Sequence, residues 1–134
     1  MIVGIDPGER RIGVAVADLE TRFARPYEVV DRQTQDAVGR ILEIVTEVDA
    51  RCVVVGRPVG LSGHSGPAVD RQVQFVDELR KRSPIEVREY DERFTTVVAE
   101  DAMRRAGLSA KRRKALRDAV AAQVMLQGYL DATA

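Results

Sequence analysis

The opening stretch, MIVGIDPGERRIGVAVAD from Met1 to Asp18, narrows the folds open to this chain more than any other segment. Ile2, Val3 and Ile5 form a β-prone run, and Ile12, Val14 and Val16 alternate with Gly13, Ala15 and Ala17. Pro7 and Gly8 punctuate the turn between the two runs, so the stretch predicts a β-hairpin. Asp6 is the odd residue. It closes an apolar strand, where a carboxylate is costly unless its lost hydration is replaced. A metal cation would replace it, and so would a hydrogen bond accepted from the turn's own backbone.

The chain has 134 residues, enough for one domain spanning 1–134 with a substantial core. Hydrophobic content of 45% and charged content of 31% are those of an ordinary globular protein. No apolar run approaches a membrane span, and the N-terminus lacks the layout of a signal peptide, so no membrane partner is expected. Cys52 is the only cysteine; it lies in the apolar run Cys52-Val53-Val54-Val55 and reads as a core residue. An intrachain disulfide is impossible, which fits a cytoplasmic location. Net charge is zero, but its distribution is uneven. Arg104 to Arg117 holds seven Lys or Arg and no acidic residue, while acidic residues dominate from Glu86 to Asp101, so a neutral chain can still present a basic face.

Arg25 to Asp31 reads as a third strand, with Pro26 suited to an edge. Thr34 is a candidate cap for a helix reaching about Asp49, with Val38, Ile41, Leu42, Val45 and Val48 on one face. The apolar run from Cys52 to Val55 has the pattern of a strand covered on both faces, ending at Gly56. Gly56 to Pro67 is a glycine- and proline-rich loop that matches neither the Walker pattern nor the dinucleotide fingerprint. It reads equally as a surface loop or a substrate-contacting lid, and it carries His64, the only histidine, with no assigned role. A helix follows from Pro67 to about Arg82, its buried stripe formed by Val69, Val73, Val76 and Leu79. Ile85 to Tyr90 predicts a fifth strand. Asp91 to Thr96 then opens a helix ending at Gly107, and Ser109 caps a last helix reaching about Leu130. The order βββαβαβαα implies a five-stranded mixed sheet, its first three strands antiparallel, with flanking helices.

Two fold families begin with such a hairpin: the actin-like ATPases and sugar kinases, and the ribonuclease H-like nucleases. The first needs two such domains around a nucleotide, and this chain is long enough for only one. In the second, the first-strand Asp meets further carboxylates at the carboxyl ends of parallel strands. Asp6 and Glu92 fall at that edge in the expected topology. Asp118 lies in the last helix, with Ala121, Ala122 and Met125 on roughly its face. Small residues there would let the helix approach the sheet and bring Asp118 to Asp6. The alternative pairs Asp118 with Lys114 or Arg117 on a solvated face.

The sequence resembles the YqgF (RuvX) family, a single-domain branch of the ribonuclease H-like nucleases related to RuvC resolvases. The resemblance rests on Gly4-Ile5-Asp6-Pro7-Gly8 with Arg11-Ile12-Gly13-Val14-Ala15, on Val55-Gly56-Arg57-Pro58, and on Asp91-Glu92-Arg93-Phe94-Thr95-Thr96. It continues through Asp118-Ala119-Val120-Ala121-Ala122 and Leu126-Gln127-Gly128-Tyr129-Leu130, so it spans nearly the whole chain in order. It implies an acidic site at Asp6, Glu92 and Asp118, one or two Mg2+ or Mn2+ ions, and trimming of the 5′ end of precursor 16S rRNA. Related resolvases carry a fourth carboxylate three residues after the third; here that position is Ala121.

The leading expectation is therefore a metal-dependent nuclease acting on nucleic acid, RNA before branched DNA, as a monomer or homodimer. Arg10, Arg11, Arg57, Arg93 and the cluster Lys111, Arg112, Arg113 and Lys114 are candidate contacts to flanking phosphates, although the cluster also reads as a solubilising helix start. The alternatives are a Holliday junction resolvase, a non-catalytic nucleic-acid-binding module and, disfavoured by length, a nucleotide phosphotransferase.

Overall fold

A computed structural model gives the structure over residues 1–58, 67–92 and 110–133, with side chains described except at 58, 67–69, 92 and 110–116. The hairpin forms as its sequence predicts. Strand β1 (Ile2–Pro7) runs antiparallel to β2 (Arg11–Ala17), with Ile2 opposite Ala17 and Asp6 opposite Gly13. The Gly8 N–H donates to the Arg11 carbonyl at 2.9 Å and closes the turn. Strand β3 (Ala24–Asp31) pairs antiparallel with β2, and a register shift lies where Ala15 faces Pro26. Pro26 has no N–H to offer, and β3 is an edge strand, where that loss is tolerated.

Strand β4 (Cys52–Pro58) adds parallel to β1, and β5 (Glu86–Glu92) adds parallel to β4. The order is β3-β2-β1-β4-β5, the expected mixed sheet. Helices α1 (Ala37–Val48) and α2 (Pro67–Arg82) lie in the parallel crossovers, and α3 (Ala110–Ala132) follows the sheet. Strand alternation divides the core in two. Val3, Ile5, Ile12, Val14, Val16, Val53 and Val55 pack under α1 and α2, against Val38, Ile41, Ile44 and Val45 and against Phe75, Val76 and Leu79. Ile2, Ala15, Ala17, Cys52 and Val54 pack under α3, against Ala122, Met125, Leu126, Tyr129 and Leu130. Cys52 is thus the buried residue expected, and burial pushes its thiol pKa up. Among the described residues no helix is long and apolar enough to cross a membrane.

Several expected details differ. The cap of α1 is Asp36 rather than Thr34, because the Asp36 carboxylate accepts from the Gly39 N–H. Ile44 is fully buried on that helix, while Leu42 and Val48 sit at the margin of the core. On α2, Val73 is 52% exposed and Phe75 takes the buried place expected for it; Val69 lies outside the described side chains. Strand β4 continues past Gly56 to Pro58, and β5 continues past Tyr90 to Glu92, because each extends the other's parallel pairing. Asp91 and Glu92 therefore close a strand instead of opening a helix. The expected helix to Gly107, its neighbour Ser109, and the loop with His64 lie outside the described residues.

Asp36 also ties α1 to α2 through Arg82, at 2.9 Å. That guanidinium, then the Gly39 N–H, holds the Asp36 carboxyl below its ordinary value of 3.8. A depressed folded value contributes stability that is complete above the unfolded value and lost as pH falls through the folded one. Comparing melting temperatures of wild type and Asp36→Asn should show a small, constant advantage for wild type at neutral pH. The advantage should begin to shrink below about pH 4 and vanish in stronger acid, because the exposed pair is weak but titrates.

Candidate functional site

Asp6 is in phase with Ile2 and Gly4, so alternation gives it the α3 face of the sheet, at the carboxyl end of β1. It is partly buried. Opposite it on β2 stands Gly13, and α3 comes down on that glycine: a Cβ built there would fall inside the Asp118 carbonyl oxygen. Just over two turns along the helix, Gly4 meets the Leu126 side chain, where a Cβ would lie 2.9 Å from Leu126 Cβ. The side-chain-free positions on β1 and β2 thus seat α3 close to the sheet, with Asp118 beside the β2 residue that pairs with Asp6.

The Asp118 side chain is 25% exposed, and Arg11 Nε of β2 lies 3.2 Å from its Oδ2. This ion-pair partner comes from the sheet. Buried Ala119, Ala121 and Ala122 flank it, which is the small-residue packing the sequence suggested.

Glu92 is the last residue of β5, in register with Pro58. Positions Glu86, Arg88 and Tyr90 alternate onto one face. At Arg88 and Tyr90 that face meets α3: Arg88 Nη1 donates to Tyr129 Oη at 2.6 Å, and the Tyr90 and Tyr129 rings meet edge to face at 5.7 Å. Ile5 pairs with Val55, so Asp6 comes level with Gly56, and Gly56 is level with Tyr90. Glu92 thus stands one strand beyond β4 and two residues further along. The strand axes of β1 and β5 are roughly 10 Å apart. Between them stands Gly56 of β4, which is buried. The Glu92 side chain lies outside the described residues.

Among the described residues no three acidic, histidine or cysteine side chains form a metal-holding group. Two of the three expected carboxylates, Asp6 and Asp118, are described. Their donor chemistry, carboxylate oxygens at a partly open edge with a guanidinium already beside one of them, suits a hard cation such as Mg2+ or Mn2+.

The basic candidates divide. Arg11 is engaged with Asp118. Arg10 is 62% exposed and lies 3.7 Å from Asp31. Arg57 is exposed near the end of β4, level with Asp91. Lys111, Arg112, Arg113 and Lys114 occupy the start of α3, one to two turns before Asp118, with their side chains outside the described set, as is Arg93 altogether. Sequence reasoning missed Gly13 as the seat of α3. Its signal was the run of small residues at 13, 15 and 17, which reads as ordinary alternation until a helix is laid on it.

A family model described as RuvX, Holliday junction resolvase, matches residues 1–132. A Chloroflexus aggregans protein named "Putative pre-16S rRNA nuclease" is 41% identical over 132 residues, covering 98% of this chain and 93% of that protein. A Mycobacterium sp. strain KMS protein of the same name is 42% identical, covering 96% of this chain and 78% of its own length. Among solved structures, T. thermophilus RuvC in complex with a Holliday junction substrate is similar at a TM-score of 0.59 and 23% identity, covering 98% of this chain and 94% of that one. The fowlpox virus resolvase with junction DNA is similar at a TM-score of 0.60 and 12% identity, covering 98% and 97%. These two likenesses show the fold, and it is ribonuclease H-like. With the family model matched over nearly its whole length and relatives at about this identity, the chain belongs to the RuvX (YqgF) family.

Proposed function

We propose that this protein is a divalent-metal-dependent nuclease that hydrolyses phosphodiester bonds in RNA and trims the 5′ end of precursor 16S rRNA in the cytoplasm, as a single domain over 1–134. The observation that carries the reading is the seating of α3 on Gly13, which sets Asp118 beside the β2 residue paired with Asp6. The names of the curated relatives supply the RNA substrate.

On this reading Asp6, Glu92 and Asp118 hold one or two Mg2+ or Mn2+ ions, which when bound activate water and stabilise the leaving oxygen. Arg11 has a double use. It pairs with Asp118, and its guanidinium is placed to meet a substrate phosphate at the same edge. Arg10, Arg57, Arg93 and Lys111 to Lys114 hold flanking phosphates. With Ala121 in the place of a fourth carboxylate, a second ion would be held weakly or only with substrate phosphate as a co-ligand.

A second reading, junction resolution, is favoured by the family description and by the RuvC likeness. Resolution needs two symmetric cuts from paired active sites, whereas trimming one strand needs one site. The test is a side-by-side rate measurement in manganese on unpaired RNA and on a four-way DNA junction, with a chelator control. The expected result is faster cleavage of RNA, abolished by chelator. Faster, paired, symmetric nicking of the junction overturns the RNA reading. Tight binding without cleavage of either substrate would make the protein a non-catalytic module.

A further inference from the structure

Two arginines beside the β1–β2 turn, Arg32 just past β3 and Arg71 on α2, are left unused by the carboxylate site. Arg32, just past β3, donates from Nη1 to the Gly8 carbonyl at 2.8 Å and lays its guanidinium over the Phe75 ring at 4.9 Å. Its backbone N–H donates to the Arg10 carbonyl at 2.8 Å. The side chain is thus fixed to the turn that follows Asp6 and to the face of α2. The nearby carboxylates are committed elsewhere: Asp31 to Arg10, Glu9 to Arg71 and Asp36 to Arg82. Among the described residues none is paired with Arg32.

Arg71, in the second turn of α2, stands four residues before Phe75, the ring that Arg32 covers, and holds Glu9, the neighbour of the Gly8 that Arg32 holds, so the two cations lie side by side. Burial first, and that neighbouring cation second, push the Arg32 pKa down. A partly buried cation beside another cation, with no anion of its own, is an unfavourable arrangement that a multivalent oxyanion relieves. Arg71 itself holds Glu9 at 2.8 Å, but Glu9 is 80% exposed and Arg71 54%. An ion pair so open to water is weak and exchanges readily for a better acceptor.

We propose that Arg32 and Arg71 form a phosphate subsite for the backbone of the substrate strand, and that Glu9 occupies Arg71 until a strand phosphate displaces it. Arg32 is the rigid half, oriented by Phe75 and Gly8, and Arg71 is the movable half. Guanidinium forks match phosphate oxygens in pairs, which a lysine could not do. The subsite lies on the α2 side of the turn, while Asp6 and Asp118 share the α3 face. A bound strand therefore crosses the β1–β2 turn, and the subsite fixes its direction relative to the cut.

The inference rests on the nuclease reading, but its test does not require cleavage. Binding of fluorescein-labelled single-stranded RNA is measured by anisotropy in chelator, between about 50 and 200 mM salt. Arg71→Ala should weaken binding severalfold at the low-salt end and reduce the slope of log affinity against log salt by about 0.7, the value of one phosphate contact on a single strand. Glu9→Gln should act in the opposite direction and tighten binding by about threefold, because it frees Arg71 from a weak competitor. Arg32→Gln, which keeps a polar side chain and removes the charge, should lower the slope as Arg71→Ala does. The proposal requires the opposite signs for Arg71→Ala and Glu9→Gln. Any other pattern in those two variants, or wild-type binding without salt dependence, overturns it. Normal binding behaviour with no cleavage in manganese would instead count against the metal site alone.

Discussion

Asp6→Asn is expected to remove cleavage of RNA, by on the order of a thousandfold or more, while the protein stays folded. The carboxylate sits at the end of β1, on the face that receives α3, and shares that edge with Asp118 and with the position of Glu92. The amide keeps the shape of the side chain and one oxygen, but it loses the charge that a hard cation needs. On the proposed reading, neutralising one of the three carboxylates relieves repulsion among them, so the melting temperature should change little. Manganese separates this from a structural defect. Added Mn2+ should raise the melting temperature of wild type by mass action and raise that of Asp6→Asn much less. Asp118→Asn should lose cleavage as well, but it also leaves Arg11 without its partner, so a modest loss of stability should accompany it. Cleavage at the wild-type rate by Asp6→Asn would sink the assignment of this edge as the active site.

How far the sequence reaches differs from element to element, for physical reasons. The hairpin and β4 are legible because short-range patterning decides them: alternation for β1 and β2, and an unbroken apolar run for a strand buried on both faces. The end of β5 is not decided locally. Asp91 and Glu92 are poor strand formers, and they are extended because β4 continues to Pro58 and offers parallel partners. On α2 the places of Val76 and Leu79 are legible, but Phe75 is buried where the spacing predicts Val73, because both suit an amphipathic helix and only the sheet surface chooses between them. The side of α3 that Asp118 takes is a similar case. Helical spacing put Ala121, Ala122 and Met125 near it, but only the contact with Gly13 tells which face meets the sheet. The Arg32–Phe75 contact joins distant parts of the chain and leaves no local sequence signal at all.

Gly13→Ala should be among the most damaging single-methyl changes available to this chain. The added Cβ would overlap the Asp118 carbonyl oxygen, a backbone atom within a hydrogen-bonded helix, and the next nearest atoms are also backbone, Asp118 C and Ala119 N. No rotamer change can make room. Either β2 must bend away, breaking its pairing with β1 on one side and β3 on the other, or α3 must lift. Lifting the helix loosens the packing of Ala122, Met125, Leu126 and Leu130, all of them essentially fully buried. Both routes sit at the severe end of overpacking, roughly 3 kcal/mol, or a fall in melting temperature on the order of 10 °C. Gly4→Ala is the informative control. Its Cβ would meet only the Leu126 side chain, at 2.9 to 3.2 Å, and a side chain can shift where a carbonyl cannot, so the loss should be clearly smaller. Cleavage adds a second discrimination. In the fraction of Gly13→Ala protein that folds, Asp118 is moved relative to Asp6, so kcat should fall well beyond what unfolding explains, whereas Gly4→Ala should retain kcat in proportion to its folded fraction. If Gly13→Ala instead melted and cleaved as wild type does, α3 could not be seated on β2 at this point. The close approach that brings Asp118 to the edge of Asp6 would then be lost with it.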